Sequence, residues 1–395
     1  MKKILIWYLK ELENSGGPKG YLYNIYEYLK KNPCKEIVFL IDLINPIPNN
    51  KSLQITNSSF INRAITDIKQ YVVFLWHIYH RQYDNIQGLN IDDFDAVHIH
   101  DIADYYKFRN TFPRYNGKVI LTSHCPCPWS YERLSPYDGF VNLIRPYVIN
   151  KECMAYNGAD YIMFPCVGAR EPYEVNLQIR KTFEKNNDKF FYVPSSILDF
   201  EIDESKIQKY SELGIPDNAF VITYFGRHNH IKGYDILKRV GEALLDKYPN
   251  LYFLCAGKGE IEPLNHPRWI ELGFINNTHE LLYQSDLYIS CNRETYFDLV
   301  VLEIFRSSTK ALLSATGGNN YFKELGNTET LGVDYFDIND FSDLISKVEK
   351  NIICKNLDPM NYKTQCNSNR ELYLRHFTIE KYIHRYLNAI CNILK

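Results

Sequence analysis

Residues 220–235 read FVITYFGRHNHIKGYD and join a short apolar strand to a glycine-containing loop and the first residues of a helix. Gly226 allows the backbone to turn tightly where the strand ends. Arg227 and Lys232 bring two cations close to the amino terminus of the helix, which attracts anions. This order is typical of a diphosphate-binding loop in an α/β protein, and the alternative is an exposed basic loop without a ligand.

Short apolar strands alternate with helical patterns on both sides of this stretch, which predicts βαβ units and parallel sheets. A charged, proline-containing segment at 194–217 interrupts the alternation, and we interpret it as a linker between two domains. The chain of 395 residues is long enough for both. We therefore predict a first domain at 1–195, a second at 215–375, and a final helix at 376–395 that packs back on the first domain.

The overall charge and the cysteines exclude several classes of protein. The 45 Lys+Arg and 47 Asp+Glu residues leave a formal net charge of −2, without the broad basic surface of a nucleic-acid-binding protein. The 10 cysteines are scattered without zinc-ligand spacing, which predicts free thiols in a reducing compartment. No apolar run approaches the roughly 20 residues of a membrane span. We expect a cytoplasmic protein that acts through a local binding site.

A second polar block follows the predicted strand at 287–290. Residues 291–303 read CNRETYFDLVVLE, and residues 316–319 after the next strand read TGGN. Glu294 lies at the carboxyl end of a strand, and Glu303 lies within the following helix. Carboxylates at these positions can accept hydrogen bonds from sugar and ribose hydroxyls, as the acidic residue of dinucleotide-binding folds does.

The order of these motifs resembles the retaining GT-B glycosyltransferases of family 4, which are also called group 1. The resemblance is carried by the glycine and basic residues of 226–233, the glutamate block of 294–303 and the glycine pair 317–318. Residues 95–101 and 122–124 are similar to landmarks of that family's acceptor domain. The resemblance implies two Rossmann-like domains that face a central cleft, the first for the acceptor and the second for the donor.

The resemblance also implies roles for individual residues, most of them in donor binding. The donor set is Gly16, Gly17, Gly226, Arg227, Lys232, Glu294, Phe297, Asp298, Leu299 and Glu303. Within it, Arg227 and Lys232 would hold the diphosphate, Glu303 the ribose and Glu294 the sugar. The catalytic candidates are Arg227, Lys232, Glu294 and His124, and the acceptor-binding candidates are His100 and His124.

The implied reaction moves a hexose from a nucleoside-diphosphate sugar to a hydroxyl of a glycan, with retention, in the synthesis of a bacterial surface polysaccharide. The resemblance implies no metal ion and no other cofactor. Two departures from the family pattern leave open a catalytically inactive, nucleotide-sugar-binding partner subunit of a glycosyltransferase complex. Eight residues, instead of seven, separate the two glutamates, so that counting back from Glu303 places Thr295 at the position of the first glutamate. Either a one-residue bulge keeps Glu294 in that place, or Thr295 has replaced it. Asp298 replaces a glycine, and we expect it to cap the next helix, the alternative being contact with a donor hydroxyl.

Three histidines follow or end predicted strands of the first domain. His98 and His100 share one face of their strand because they are two residues apart. We expect His100 to reach the ligand site because it is nearer the strand end. The imidazole of His124 could hydrogen-bond a sugar hydroxyl or accept a proton, and the alternative is a structural histidine.

Two further segments suggest ligands of other kinds. Asp93 and Asp95 form an Asp-x-Asp pattern like that of metal-dependent sugar transferases, but they precede a strand, so we expect no metal site there.

Residues 63–81 combine aromatic residues with basic ends. They could lie in a membrane interface and meet a lipid-linked acceptor, whereas a core helix or a dimer face is the alternative.

Overall fold

The computed structural model describes residues 2–14, 17–44, 75, 79, 86, 88–134, 141–199, 207, 209–275, 278–325 and 331–395. These residues form two compact units, each with its own sheet. Unit 1 comprises residues 1–164, 173–193 and 384–395, and unit 2 comprises residues 165–172 and 194–383. The main boundary thus falls at Pro194, at the start of the segment predicted to be a linker, and the last residues of the chain belong to unit 1.

Unit 1 contains a sheet of six parallel strands in the order β2-β1-β3-β4-β5-β6. The strands are β1 (Ile4–Trp7), β2 (Ile37–Phe39), β3 (Ala96–Ile99), β4 (Lys118–Leu121), β5 (Tyr161–Phe164) and β6 (Phe190–Tyr192). All residues of β1 and β3 are buried, as expected for strands at the centre of a parallel sheet. The order reverses between β1 and β3, so a ligand site is expected at their carboxyl ends.

Among the described residues, the α-helices that begin in the first half of the chain are short to medium in length. They are α1 (Pro18–Lys31), α2 (Ile102–Thr111), α3 (Trp129–Leu134), α4 (Val141–Gly158), α5 (Glu171–Glu174) and α6 (Leu177–Lys185). Helix α2 begins at a side-chain cap, because Asp101 accepts a hydrogen bond of 2.7 Å from the backbone N–H of Ala103. The cap fixes the point where the chain leaves β3.

Unit 2 contains a second sheet of six parallel strands in the order β12-β11-β10-β7-β8-β9. The strands are β7 (Phe220–Phe225), β8 (Leu251–Ala256), β9 (Trp269–Glu271), β10 (Leu287–Ser290), β11 (Lys310–Ser314) and β12 (Val333–Phe336). Strands β7 and β10 are buried throughout. Strand order reverses between these two strands, which places the loops after β7 and β10 side by side at the switch point of the sheet.

The remaining helices cover this sheet and end the chain. They are α7 (Tyr234–Leu244), α8 (Thr278–Gln284), α9 (Leu299–Arg306), α10 (Tyr321–Glu324), α11 (Phe341–Leu357), α12 (Pro359–His376) and α13 (Ile379–Ile393). Buried residues of α7, among them Leu237 and Val240, pack into one core with Ile222 and Phe253 of the sheet. This packing holds the amino terminus of α7 beside the loop that follows β7.

The segment predicted as an aromatic helix, 63–81, lies outside the described residues except for Leu75 and Tyr79. Tyr79 is buried, and its ring makes edge contacts with the rings of Tyr106 at 4.9 Å and Tyr147 at 5.8 Å. Tyr79 is thus a core residue of unit 1. Among the described residues, no helix is both long and apolar enough to cross a membrane.

Candidate functional site

The loops that follow β7, β8 and β10 contact each other through their backbones at one edge of the unit 2 sheet. Gly233 has a φ of 65°, and a Cβ atom there would overlap the carbonyl oxygen of Cys291. Gly257 has a φ of 143°, and a Cβ atom there would overlap the carbonyl oxygen of Gly226. Glycine is required at both positions because it alone fits both the backbone angles and the close approach.

Arg293 joins the loop after β10 to the loop after β7. Its guanidinium donates two hydrogen bonds, of 2.8 and 2.7 Å, to the carboxylate of Asp235 and one of 2.6 Å to the carbonyl of His230. Its backbone N–H donates to the carbonyl of Ile231 at 2.9 Å. The hydrogen bonds from the Arg293 guanidinium to Asp235 lower the pKa of the Asp235 carboxyl. The bidentate contact fixes the segment from which Lys232 projects.

The two predicted diphosphate ligands differ in their surroundings. Arg227 is exposed, and its guanidinium makes no hydrogen bond or ion pair with any described residue. Lys232 is largely buried, and its ammonium lies 2.6 Å from a carboxylate oxygen of Asp298. The same oxygen accepts a hydrogen bond of 2.6 Å from the side-chain amide of Asn292. The site therefore offers one free cation and one cation already paired within the protein, as far as the structure describes it.

The predicted helix cap at Asp298 is wrong. Asp298 does stand at the N-cap position of α9, but its side chain makes no capping hydrogen bond. The carboxylate turns instead to Lys232 and Asn292, since a charged partner offers a stronger hydrogen bond than a backbone N–H. The lysine is 66 residues away in the sequence, so local pattern could not reveal this contact.

The structure separates the two candidates for the first glutamate. Thr295 is fully buried, and its hydroxyl lies 3.0 Å from the hydroxyl of Thr316. Glu294 is half-buried, and its carboxylate has no partner among the described residues. Burial raises its pKa. Of the two side chains, Glu294 is therefore the one that can still bind a ligand.

Glu303 extends from α9 and has a partner on a neighbouring helix. Its carboxylate accepts a hydrogen bond of 2.9 Å from the hydroxyl of Thr278, the first residue of α8. Burial raises its pKa, and the nearby Arg306 opposes that shift. A carboxylate held in this way can accept further hydrogen bonds from hydroxyl groups, because each oxygen has two lone pairs.

The glycine pair after β11 packs against the polar block after β10. The backbone N–H of Gly318 donates to the carbonyl of Thr295 at 2.9 Å, and the N–H of Gly317 donates to the carboxylate of Glu171 at 2.9 Å. A Cβ atom at either glycine would overlap a carbonyl of residue 295 or 296. The glycine pair thus holds the backbone next to Glu294 in place. The contact with Glu171, a residue of unit 2, was not predicted from the sequence.

Two other residues predicted at the donor site differ in their exposure. The ring of Phe297 is 5% exposed and contacts the rings of Phe322 at 5.3 Å and Tyr321 at 5.7 Å. Leu299 is partly buried at the start of α9. The Phe297 side chain therefore belongs to an aromatic cluster, so any contact of this residue with a ligand would be through its backbone.

In unit 1, three histidines and a threonine lie at the carboxyl ends of β3 and β4. His98 bonds the hydroxyl of Thr122 at 2.7 Å and the hydroxyl of Tyr386 at 2.9 Å. Nδ1 of His100 lies 2.9 Å from Nε2 of His124, and the rings of His98 and His100 are 4.0 Å apart. The structure thus brings together both predicted acceptor-binding histidines.

The three imidazoles are held neutral. Burial lowers the pKa of His98 and His100 well below the ordinary value, and it lowers the pKa of His124 to about 3. His100 is 3% exposed, whereas His124 is half-buried. Of the pair, His124 is the residue nearer to solvent, and its Nε2 atom is bonded to His100.

The remaining predicted residues lie at other places in unit 1. Gly17 has a φ of 74° immediately before α1, where glycine is favoured, and Gly16 lies outside the described residues. Asp95 accepts a hydrogen bond of 2.8 Å from the backbone N–H of Lys3, at the amino-terminal edge of the sheet. Within the described ranges, no group of three or more histidine, cysteine or acidic side chains is arranged to hold a metal ion.

Comparison with known proteins links unit 2 to a family of sugar transferases. Residues 219–351 match the family model described as Glycosyl transferases group 1. An uncharacterized glycosyltransferase of Methanocaldococcus jannaschii is 23% identical over 248 residues. That alignment covers 58% of this chain and 60% of the relative, so it spans less than two thirds of the relative's length.

Several solved structures resemble the whole chain. HepE of Anabaena in complex with UDP-glucose has a TM-score of 0.61 at 13% identity, covering 99% of this chain and 100% of that one. A glycosyltransferase of Rickettsia africae has a TM-score of 0.60 at 16% identity, with coverage of 100% and 99%. Sucrose-phosphate synthase of Thermosynechococcus elongatus has a TM-score of 0.59 at 14% identity, with coverage of 99% and 100%.

The two parallel six-stranded sheets are those of the GT-B glycosyltransferase fold, which confirms the predicted fold class. The family match confirms the predicted enzyme class, a glycosyltransferase, for residues 219–351. These residues include the loops after β7 and β10 with Arg227, Lys232, Glu294 and Glu303.

Proposed function

We propose that the chain is a retaining glycosyltransferase of family 4 that moves a hexose from a nucleoside-diphosphate sugar to a hydroxyl of a glycan. One observation carries the proposal. The segment that matches the glycosyltransferase family places the cations Arg227 and Lys232 and the free carboxylate of Glu294 on the two loops at the switch point of the sheet. Cations there suit a diphosphate, and a carboxylate suits sugar hydroxyls.

In this proposal, the basic loop after β7 stabilises the leaving group. Arg227 is exposed and unpaired among the described residues, so its guanidinium is available to bind phosphate oxygens in a bidentate manner. Lys232 adds a second positive charge from a largely buried position. Charge that develops on the departing diphosphate is stabilised by cations that are already in place, without reorganisation at the moment of reaction.

Glu303 and Glu294 would recognise the two sugar rings of the donor. Glu303 is oriented by Thr278 at 2.9 Å and would accept hydrogen bonds from the ribose hydroxyls. Glu294 would accept hydrogen bonds from the transferred sugar. The buried Thr295 would stabilise the loop rather than bind the sugar, because its hydroxyl contacts the hydroxyl of Thr316.

His124 would bind the acceptor at the carboxyl edge of the unit 1 sheet, where it is hydrogen-bonded to His100. A neutral imidazole can accept a hydrogen bond from a hydroxyl without adding charge. With retention and no enzymic nucleophile, the acceptor attacks on the face from which the diphosphate departs. A phosphate oxygen then takes the acceptor's proton, and no metal ion is required in this scheme.

The donor and the biological setting are part of the same proposal. HepE, which resembles the whole chain in fold, has been solved with UDP-glucose. We propose a uridine-diphosphate hexose as the first donor to test and a bacterial surface polysaccharide, or its lipid-linked precursor, as the acceptor. The reaction would take place in the cytoplasm at the inner face of the membrane, with residues 63–81 as the contact, apart from Tyr79, which is buried in the core of unit 1.

A donor panel tests the proposal. The purified chain is incubated with UDP-, GDP- and ADP-hexoses, with and without a glycan acceptor, and release of the nucleoside diphosphate is followed. Release with one donor, together with α-to-α or β-to-β stereochemistry in the product, supports a retaining transferase. Tight binding of a donor without release or transfer would favour the alternative of an inactive partner subunit.

A further inference from the structure

The ammonium of Lys232, a proposed ligand of the diphosphate, already has an anionic partner. Its distance to the Asp298 carboxylate is 2.6 Å, and the two side chains are only 22% and 18% exposed. An ion pair this little exposed is weakly screened by salt, so its attraction is stronger than that of a surface pair. Arg227, by contrast, has no anionic partner among the described residues.

Asn292 holds the carboxylate independently of the lysine. Its side-chain amide donates a hydrogen bond of 2.6 Å to the same oxygen of Asp298. Asn292 is itself 3% exposed, and its carbonyl accepts hydrogen bonds from Ser314 at 2.7 Å and Thr316 at 3.0 Å. Asp298 therefore keeps one fixed hydrogen bond even when Lys232 turns to another anion.

We infer that Asp298 is an internal counter-ion, which Lys232 exchanges for the diphosphate when a nucleotide binds and recovers when the nucleotide leaves. The inference rests on the proposed function of Lys232. A bound diphosphate must compete with Asp298 for the lysine, and it also meets the negative charge of that carboxylate. Asp298 is thus a determinant of affinity: its carboxylate weakens the binding of the nucleoside diphosphate and speeds the release of that product.

The neutral variant Asp298→Asn tests the charge of Asp298 separately from its shape and its hydrogen bonds. An asparagine has nearly the same shape and keeps an oxygen for Asn292 and Lys232, but it carries no charge. We expect it to bind UDP about tenfold more tightly than the unaltered chain, since one weakened competing ion pair corresponds to roughly 1.4 kcal/mol. Release of UDP should slow by a similar factor, because related complexes differ mostly in their dissociation rates.

Asp343→Asn provides a matched control. Asp343 lies 2.6 Å from Lys347 in helix α11 and has a similar exposure of 29%. The control therefore removes the same charge from a lysine pair of the same length, on a different element. We expect its affinity for UDP to equal that of the unaltered chain.

The experiment measures dissociation constants of UDP and of UDP-glucose by calorimetry for the unaltered chain, Asp298→Asn, Asp298→Ala, Asp343→Asn and Lys232→Ala. Circular dichroism verifies that each variant is folded, and Asp298→Ala replaces the asparagine variant if that protein fails to fold. Tighter UDP binding in either Asp298 variant, with Asp343→Asn unchanged, supports the inference.

Two results overturn the inference alone. Unchanged or weaker UDP binding in both Asp298 variants, with weaker binding in Lys232→Ala, would show that Lys232 binds the nucleotide while Asp298 does not compete. Weaker binding of UDP-glucose with unchanged UDP binding would assign Asp298 to the sugar instead. If Lys232→Ala binds UDP as the unaltered chain does, or if the unaltered chain binds no UDP, the proposed diphosphate site itself is wrong and the inference fails with it.

Discussion

Nδ1 of His100 lies 2.9 Å from Nε2 of His124, so the two imidazoles share one hydrogen bond within unit 1. One ring must donate and the other must accept, which suits two neutral imidazoles. Protonation of both would leave two donors facing each other beside His98. The cluster therefore links proton uptake to the stability of unit 1.

The first prediction concerns this linkage. The folded pKa of each of the three histidines lies below the unfolded value of about 6.5, so the unfolded state binds more protons as the pH falls below that value. Stability should be full above about pH 6.5 and decline on acidification, with a slope of up to about 1.4 kcal/mol per pH unit for each histidine. Urea denaturation between pH 7 and pH 5 measures the slope.

Variants identify the source of this slope. His98→Gln should lower the slope, in addition to any loss of stability from its contacts with Thr122 and Tyr386. His230→Gln is the control, since the His230 side chain is 71% exposed. An equal slope in all three proteins would exclude the cluster as its cause.

A second prediction compares two glycines with similar backbone angles. Gly233 and Gly214 have φ values of 65° and 71°, but a Cβ atom would overlap the Cys291 carbonyl only at Gly233 and meets no atom within 4 Å at Gly214. Gly214→Ala should cost about 1 kcal/mol from backbone strain. Gly233→Ala should cost roughly 1–3 kcal/mol more, because the loops after β7 and β10 must separate. It should also weaken UDP binding, which calorimetry measures, and equal effects of the two substitutions would contradict the close approach.

A third prediction tests the loop contact made by Arg293. Asp235→Asn removes the charge that holds the guanidinium, which should loosen the loop after β7 and weaken UDP binding severalfold through lost preorganisation. Asp199→Asn is the control, because Asp199 accepts a similar bidentate contact, of 2.6 and 2.8 Å, from Arg370. Nucleotide titrations should show no change in the control, and a change of equal size in both variants would show that the effect is not specific to the loop.

A fourth prediction distinguishes the role of Glu294 in donor kinetics from the role of Thr295 in stability. Glu294→Gln should lower kcat/KM for the sugar donor roughly tenfold to a hundredfold, since a charged hydrogen-bond acceptor to the sugar is lost, and leave UDP binding unchanged. Thr295→Val should reduce stability because it leaves the Thr316 hydroxyl with one partner fewer. If donor kinetics respond to Thr295→Val and not to Glu294→Gln, the assignment of the sugar contact is wrong.

The sequence predicted the α/β architecture well because the strands that matter most are continuous apolar runs. Strands β7 and β10, together with the loops that follow them, were predicted from residues 220–235 and 287–303 and occur as predicted. Strand β12 was not predicted, since it is only four residues long, at 333–336. Periodicity gives little signal over so short a stretch.

Contacts between distant residues account for most of what the sequence did not predict at the site. The side chain of Asp298 was expected to cap α9 because it stands directly before the helix in the sequence. It bonds instead to Lys232, which is 66 positions away. The support of Gly317 by Glu171 spans 146 residues and comes from a short segment between two parts of unit 1. Likewise, the shared hydrogen bond of His100 and His124 depends on the register of β3 against β4.

The most direct test of the proposed mechanism is turnover in the double variant Arg227→Ala/Lys232→Ala. The release of UDP from the best donor is measured under saturating acceptor, with Lys347→Ala as a control lysine on α11. If the two cations stabilise the departing diphosphate, kcat should fall by roughly a hundredfold or more in the double variant and stay unchanged in the control. Unchanged turnover in a folded double variant would contradict the assignment of the leaving-group site.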